Sequence, residues 1–154
     1  MRRWKLTSPL RMDSHFRALE AMYVNGPINQ FFRPLIHIEE AAAEIRMTVR
    51  PDMHHAAHAA HGAVYFKMLD DAAFFSVQSL VSEAFVVTST FQLYLLAPVV
   101  DGEMVARGRV VHRSKRLFIA ESTVEVDGAV VARGSGSFVR SSVRLDGEVG
   151  YHPG

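Results

Sequence analysis

His61-Gly62-Ala63-Val64-Tyr65-Phe66-Lys67-Met68-Leu69-Asp70-Asp71-Ala72-Ala73-Phe74-Phe75-Ser76-Val77-Gln78-Ser79-Leu80 decides the fold. Its apolar residues fall on nearly every side of a helical wheel rather than on one stripe. A helix that is apolar all round belongs inside a core, and about 18 residues is too long for an ordinary strand. The stretch predicts a long buried helix.

Four strand-like runs follow it, at roughly 85–96, 103–113, 117–127 and 129–140, rich in β-branched and aromatic residues. Phe118, Ala120, Ser122 and Val124 alternate with Ile119, Glu121, Thr123 and Glu125, and Val130, Ala132 and Phe138 with Arg133, Ser135 and Ser137. Each run therefore turns one face inward. Asp127-Gly128 is a two-residue hairpin signal, and such tight links imply antiparallel neighbours.

Upstream, Ile45, Met47 and Val49 alternate with Glu44, Arg46, Thr48 and Arg50 as one more half-buried strand, ended by Pro51-Asp52. Earlier still, Phe16, Leu19, Met22 and Tyr23 form one stripe of a helix over about 13–24, with Asp13 or Ser14 as its cap and Asn25-Gly26-Pro27 as its stop. The expected fold class is α+β, an antiparallel sheet wrapped around one long central helix. The expected organisation is one domain over 1–154, with a core at about 35–140 and a polar tail at about 141–154.

Bulk properties narrow the function. A net charge of +1 gives no global field to draw nucleic acid or an anionic membrane. The absence of cysteine removes disulfides, zinc–thiolate sites and a thiol nucleophile. The basic start has no apolar run and cleavage site behind it, and the most apolar stretch, about 84–100, is broken by Thr88, Ser89, Thr90, Gln92 and Pro98. A cytoplasmic protein without membrane or nucleic-acid partners is expected.

The buried helix also carries the chemistry. Lys67 and Asp71 are four apart and can pair, whereas Asp70 points about 100° away from Asp71 and has no such partner. Two readings of Asp70 stand side by side: a carboxylate on a solvated helix edge, or a general base or nucleophile in a cleft. At the helix start, Gly62 offers a backbone N–H with no intrahelical partner, and a substrate carbonyl can approach it closely. The same glycine equally serves to shape the helix entry. His54, His55, His58 and His61 lie within eight residues, but no carboxylate completes a zinc ligand set, so no metal site is expected. Arg113, Lys115 and Arg116 cluster at a turn between strands, where they are either solvated or available to phosphates.

The segments HGAVYFKMLDDAAFFSV, TSTFQLYLLAP and DGEMVARGRVVHRSKRLFIAESTVEV resemble the hotdog-fold acyl-CoA thioesterases of the phenylacetate-pathway type, over about residues 35–140. That family begins its central helix with His-Gly-Gly and places an acidic residue nine positions after the histidine; here these are His61, Gly62 and Asp70. The resemblance implies hydrolysis of an acyl-CoA thioester without metal or organic cofactor. It makes Gly62 the oxyanion donor and Asp70 the nucleophile or base, and puts Thr88 where the family holds a water with serine or threonine. It also implies sites at a homodimer interface, with dimers often paired into homotetramers. Two departures stand out. Ala63 replaces the second glycine of the pair, and His55 stands where the family has an asparagine. Competing readings are a hotdog hydratase or dehydratase and a non-catalytic acyl-CoA-binding module. The first expects a histidine five residues after the aspartate, where this chain has Phe75.

Overall fold

A computed structural model describes residues 9–154. Helix α1 (Pro9–Asn25) and the short α2 (Asn29–Phe32) lead into strands β1 (Leu35–Glu39) and β2 (Ala42–Thr48). The central helix α3 (Gly62–Gln78) follows, then β3 (Ala84–Leu95), β4 (Glu103–Arg113), β5 (Phe118–Val126) and β6 (Ala129–Arg144). All six strands form one antiparallel sheet in the order β1-β2-β4-β5-β6-β3. This is the hotdog fold, α+β, with α3 inside the wrap.

The inward faces anticipated for β2 and β5 are buried: Ala43, Ile45 and Met47 on one, Phe118, Ala120, Ser122 and Val124 on the other. Gly108 lets the helix lie directly on the sheet, because a Cβ there would collide with the Ala72 carbonyl. Ser122 fastens the same contact by donating its hydroxyl to the Leu69 carbonyl at 2.8 Å. At the β5–β6 hairpin, Asp127 and Gly128 both take positive φ (50° and 80°), as a type I′ turn demands.

Three expectations are corrected. Helix α1 already includes Pro9, so Asp13 and Ser14 lie inside it rather than at its cap. Its end is also made differently. Gly26 does not take positive φ; its N–H and the Asn29 side-chain amide both donate to the Tyr23 carbonyl, at 3.1 and 2.7 Å. Finally, the stretch after 140 is no loose polar tail. β6 runs on to Arg144, Leu145 and Tyr151 are buried, and Asp146 caps a single 3-10 turn, Gly147–Val149. This segment docks on α1: His15 Nδ1 lies 2.7 Å from the Tyr151 hydroxyl and Ser14 Oγ donates to the Pro153 carbonyl at 2.6 Å. β1, which the sequence pattern did not reveal, extends the sheet beyond β2.

Candidate active site

Asp70 is half-buried on the face of α3 that looks toward β3. Thr88 Oγ1 donates to its Oδ1 at 2.8 Å, so the second carboxylate oxygen stays available for other chemistry. Thr88 sits where the β3–β6 register slips between Thr88 and Thr90, and such a bulge re-aims a side chain locally. Burial pushes the Asp70 carboxyl up to about 6, helped by the neighbouring Asp71 charge and opposed by the Thr88 hydroxyl and Lys67. A carboxylate tuned to that range takes and gives up protons near neutral pH.

The pair foreseen on one helix face forms: Lys67 Nζ meets Asp71 Oδ2 at 2.7 Å, with the two side chains 11% and 19% exposed. Tyr23 of α1 adds a second donor to the same oxygen at 2.7 Å. Lys67 Nζ also lies 5.2 Å from the Tyr23 ring centre and 5.0 Å from that of Phe32. These contacts clamp the α1–α2 hairpin over α3.

Under that clamp opens a cavity of about 490 Å³. Asp70, Thr88, Lys67, Asp71 and Asn29 give it polar points, and Met22, Ile28, Phe74, Phe85, Val87 and Val149 are among its apolar walls. Phe74 and Phe75 line this space, whereas Phe66 and Phe91 stack on each other instead. Sequence reasoning gave no site role to Tyr23, Asn29 or Val149, which reach the cavity from α1, α2 and the turn after β6.

The other end of α3 carries the second group of candidates. His61 is the N-cap, and its Nδ1 accepts the Ala63 N–H at 2.9 Å. That occupies the Ala63 amide. Among the described residues, no acceptor meets the Gly62 N–H, which remains a helix N-terminal donor. Gly62 faces the end of β3, where an added Cβ would lie 3.4 Å from Leu95 Cδ1.

The histidines before the helix go separate ways. His54 Nε2 lies 2.7 Å from the Val100 carbonyl, exposed His55 takes the Ala57 N–H on Nδ1 at 3.0 Å, and exposed His58 holds a positive φ of 63°. Among the described residues no three His, Cys, Asp or Glu side chains converge as a metal site would require. Arg113, Lys115 and Arg116 occupy the β4–β5 turn region and do not line the Asp70 cavity.

Residues 57–133 match the family model of the thioesterase superfamily, a span that contains Gly62, Asp70 and Thr88. The chain belongs to the thioesterase superfamily.

Solved structures agree on the fold of this thioesterase-superfamily chain. The PaaI protein from the Escherichia coli phenylacetic acid degradation operon superposes with a TM-score of 0.78 at 22% identity, covering 86% of this chain and 97% of that one. A phenylacetic acid degradation-related protein of Ralstonia eutropha JMP134 gives 0.71 at 17% identity, over 81% and 98%. A mutant of the phenylacetic acid degradation protein PaaI of Thermus thermophilus gives 0.69 at 21%, over 75% and 99%. Among curated proteins none matches this sequence. Among the described residues, no helix is long and apolar enough to cross a membrane.

Proposed function

We propose that this chain is an acyl-CoA thioesterase of the PaaI type, acting as a homodimer whose two active sites each draw on both chains. The observation that carries the reading is the position of Asp70 and Gly62 on one helix. They are eight residues apart, and at 1.5 Å of rise per residue that separates them by about 12 Å. One thioester carbonyl cannot meet both groups of the same chain.

A second copy closes the gap. β3 ends the strand order, and among the described residues it pairs only with β6, leaving its other edge open over twelve residues. Phe66, Tyr94, Leu95 and Leu96 lie exposed beside it. A long uncovered edge with apolar neighbours favours pairing with another strand. Two β3 strands paired antiparallel about Gln92 set the Thr88–Ser89 bulge of one chain opposite Leu95 of the other. Thr88 marks Asp70 and Leu95 marks Gly62, so that register brings the carboxylate of one chain to the free amide of the other.

In such a site Asp70 takes a proton from a water as that water adds to the thioester carbonyl, or attacks the carbonyl itself. The Gly62 N–H receives the developing oxyanion. On the water route collapse breaks the C–S bond, and the proton held by Asp70 passes to the departing thiolate, releasing the free acid and coenzyme A. On the direct route the thiolate leaves, takes a proton from solvent, and water hydrolyses the acyl–Asp70 anhydride to the free acid, restoring the carboxylate. His55, with Nδ1 already engaged, offers its other ring nitrogen to the water or substrate. Arg113, Lys115 and Arg116 serve the phosphates of coenzyme A, and neither metal nor organic cofactor takes part.

The test uses two inactive chains. Asp70→Asn removes the carboxylate. Gly62→Pro removes the amide N–H at a first helical position, and His61 already has the extended backbone (φ −61°, ψ 147°) that precedes a proline. Each alone is expected to lose on the order of a hundredfold or more in thiol release from acyl-CoAs. Co-expressed, they form mixed dimers with one intact site, and about a quarter of wild-type activity returns if the chains pair at random. No recovery in verified mixed dimers sinks the shared site. No turnover by the wild type, with acyl-CoA still bound, makes the protein a binding module.

A further inference from the structure

The cavity beside Asp70 has a second polar point that the thioesterase chemistry leaves unused. Asn29 is only 4% exposed and lines the cavity, yet its Oδ1 has no hydrogen-bond partner. Its orientation is set from the other side, because Nδ2 donates to the Tyr23 carbonyl at 2.7 Å. A flipped amide would press oxygen against oxygen there. A buried acceptor without a donor is costly, and native structures rarely keep one without a use.

Asp71 adds an acceptor that is less deeply buried. Both donors that reach it, Tyr23 and Lys67, bind Oδ2, and among the described residues none meets Oδ1. The polar points away from Asp70 and Thr88 thus offer two open acceptors. Among the described residues that line the cavity the one cation is Lys67, already engaged by Asp71 and by the rings of Tyr23 and Phe32. Apolar walls from Met22, Ile28, Phe74 and Val149 surround them.

We propose that Asn29, with Asp71, is a specificity site for acyl groups that are apolar along their length and carry a hydrogen-bond donor, a hydroxyl or an amine, at the far end. The proposal rests on the thioesterase reading, since it assigns the acyl group to this cavity. A plain acyl group leaves the Asn29 oxygen buried and unmet, whereas a terminal donor satisfies it. Sites built to hydrogen-bond a substrate group discriminate strongly against the analogue that lacks it. An acyl group ending in a carboxylate meets acceptors and a second negative charge, and is rejected.

The experiment compares octanoyl-CoA with its ω-hydroxy and ω-amino counterparts, reading kcat/KM for thiol release, and measures binding of the three free acids by calorimetry. In the wild type at least one donor-bearing chain is preferred by about tenfold or more. Which one leads separates hydroxyl from amine recognition. Asn29→Leu brings the ratio to within about twofold of one, while Asn29→Ser, whose hydroxyl can donate to the Tyr23 carbonyl and still accept, retains a preference. A purely structural Asn29 lowers all substrates together and leaves the ratio unmoved, which overturns the proposal. Equal use of the three chains by the wild type overturns it without any variant. If no chain is hydrolysed the thioesterase reading fails, and the affinities of the free acids still decide this one.

Discussion

The substitution Asp70→Asn removes one ionisable group and leaves an oxygen to accept the Thr88 hydroxyl, so packing around α3 changes little. Its thermodynamic effect follows from the raised carboxyl. The folded chain holds this proton up to about pH 6, whereas an ordinary aspartate releases it near 3.8. Across that window the folded state binds more protons than the unfolded one, so stability falls as pH rises and then stays level above 6. A shift of about two units corresponds to about 3 kcal/mol, and discounting for the partly solvated position brings the expected effect to about 1–2 kcal/mol. Asp70→Asn is therefore expected to abolish thiol release while stabilising the protein by about 1–2 kcal/mol at pH 7.5, or about 3–6 °C in Tm. At pH 4.5 about a third of that gain remains, because most of the window has not been crossed. Urea unfolding of both proteins at equal concentration across this pH range measures it. A variant no more stable than wild type at pH 7.5, or one whose gain is the same at both pH values, refutes the argument.

Two further outcomes follow from the same geometry. Thr88→Val withdraws the hydroxyl that donates to Asp70, so the acid limb of the kcat/KM profile, expected near 6 in the wild type, moves to higher pH; an unchanged profile shows that the hydroxyl does not support the carboxylate. Gly108→Ala drives a methyl group into the Ala72 backbone and is expected to cost about 3 kcal/mol or more, read as lost soluble yield or a lowered melting temperature; a melting temperature within about a degree of wild type shows that α3 is not seated on this glycine.

What the sequence made legible, and what it hid, divides by the range of the interaction. The central helix announced itself because burial on all sides leaves a helix no polar face, and β2 and β5 because their pleat imposes period two. Asp127-Gly128 was readable because only a few residue pairs accept positive φ at both positions. The β1–β2 hairpin was not. Its turn uses Ala41 at φ 60°, a residue that carries no turn signal. The Lys67–Asp71 pair followed from helical spacing, but its third member, Tyr23, comes from 48 residues away. Asp70 and Gly62 were nameable as candidates from their place on the helix and from a family resemblance. The Thr88 hydrogen bond to Asp70 needed the β3 bulge, which no local pattern records. Asn29 and Val149 were out of reach for the same reason: the cavity gathers them from opposite ends of the chain.

The contact between His15 and Tyr151 spans 136 residues and joins the first described helix to the last few residues of the chain. On a ribosome the stripe of Phe16, Leu19, Met22 and Tyr23 is made first, and the Tyr151 side of its seat follows only after β6. Contacts of such long sequence separation form late, and apolar surface waiting for them is open to association with other chains. Nascent molecules halted before Tyr151 should therefore keep α1 loosely held and be the species that chaperones retain, while synthesis past Tyr151 lets the two segments clasp.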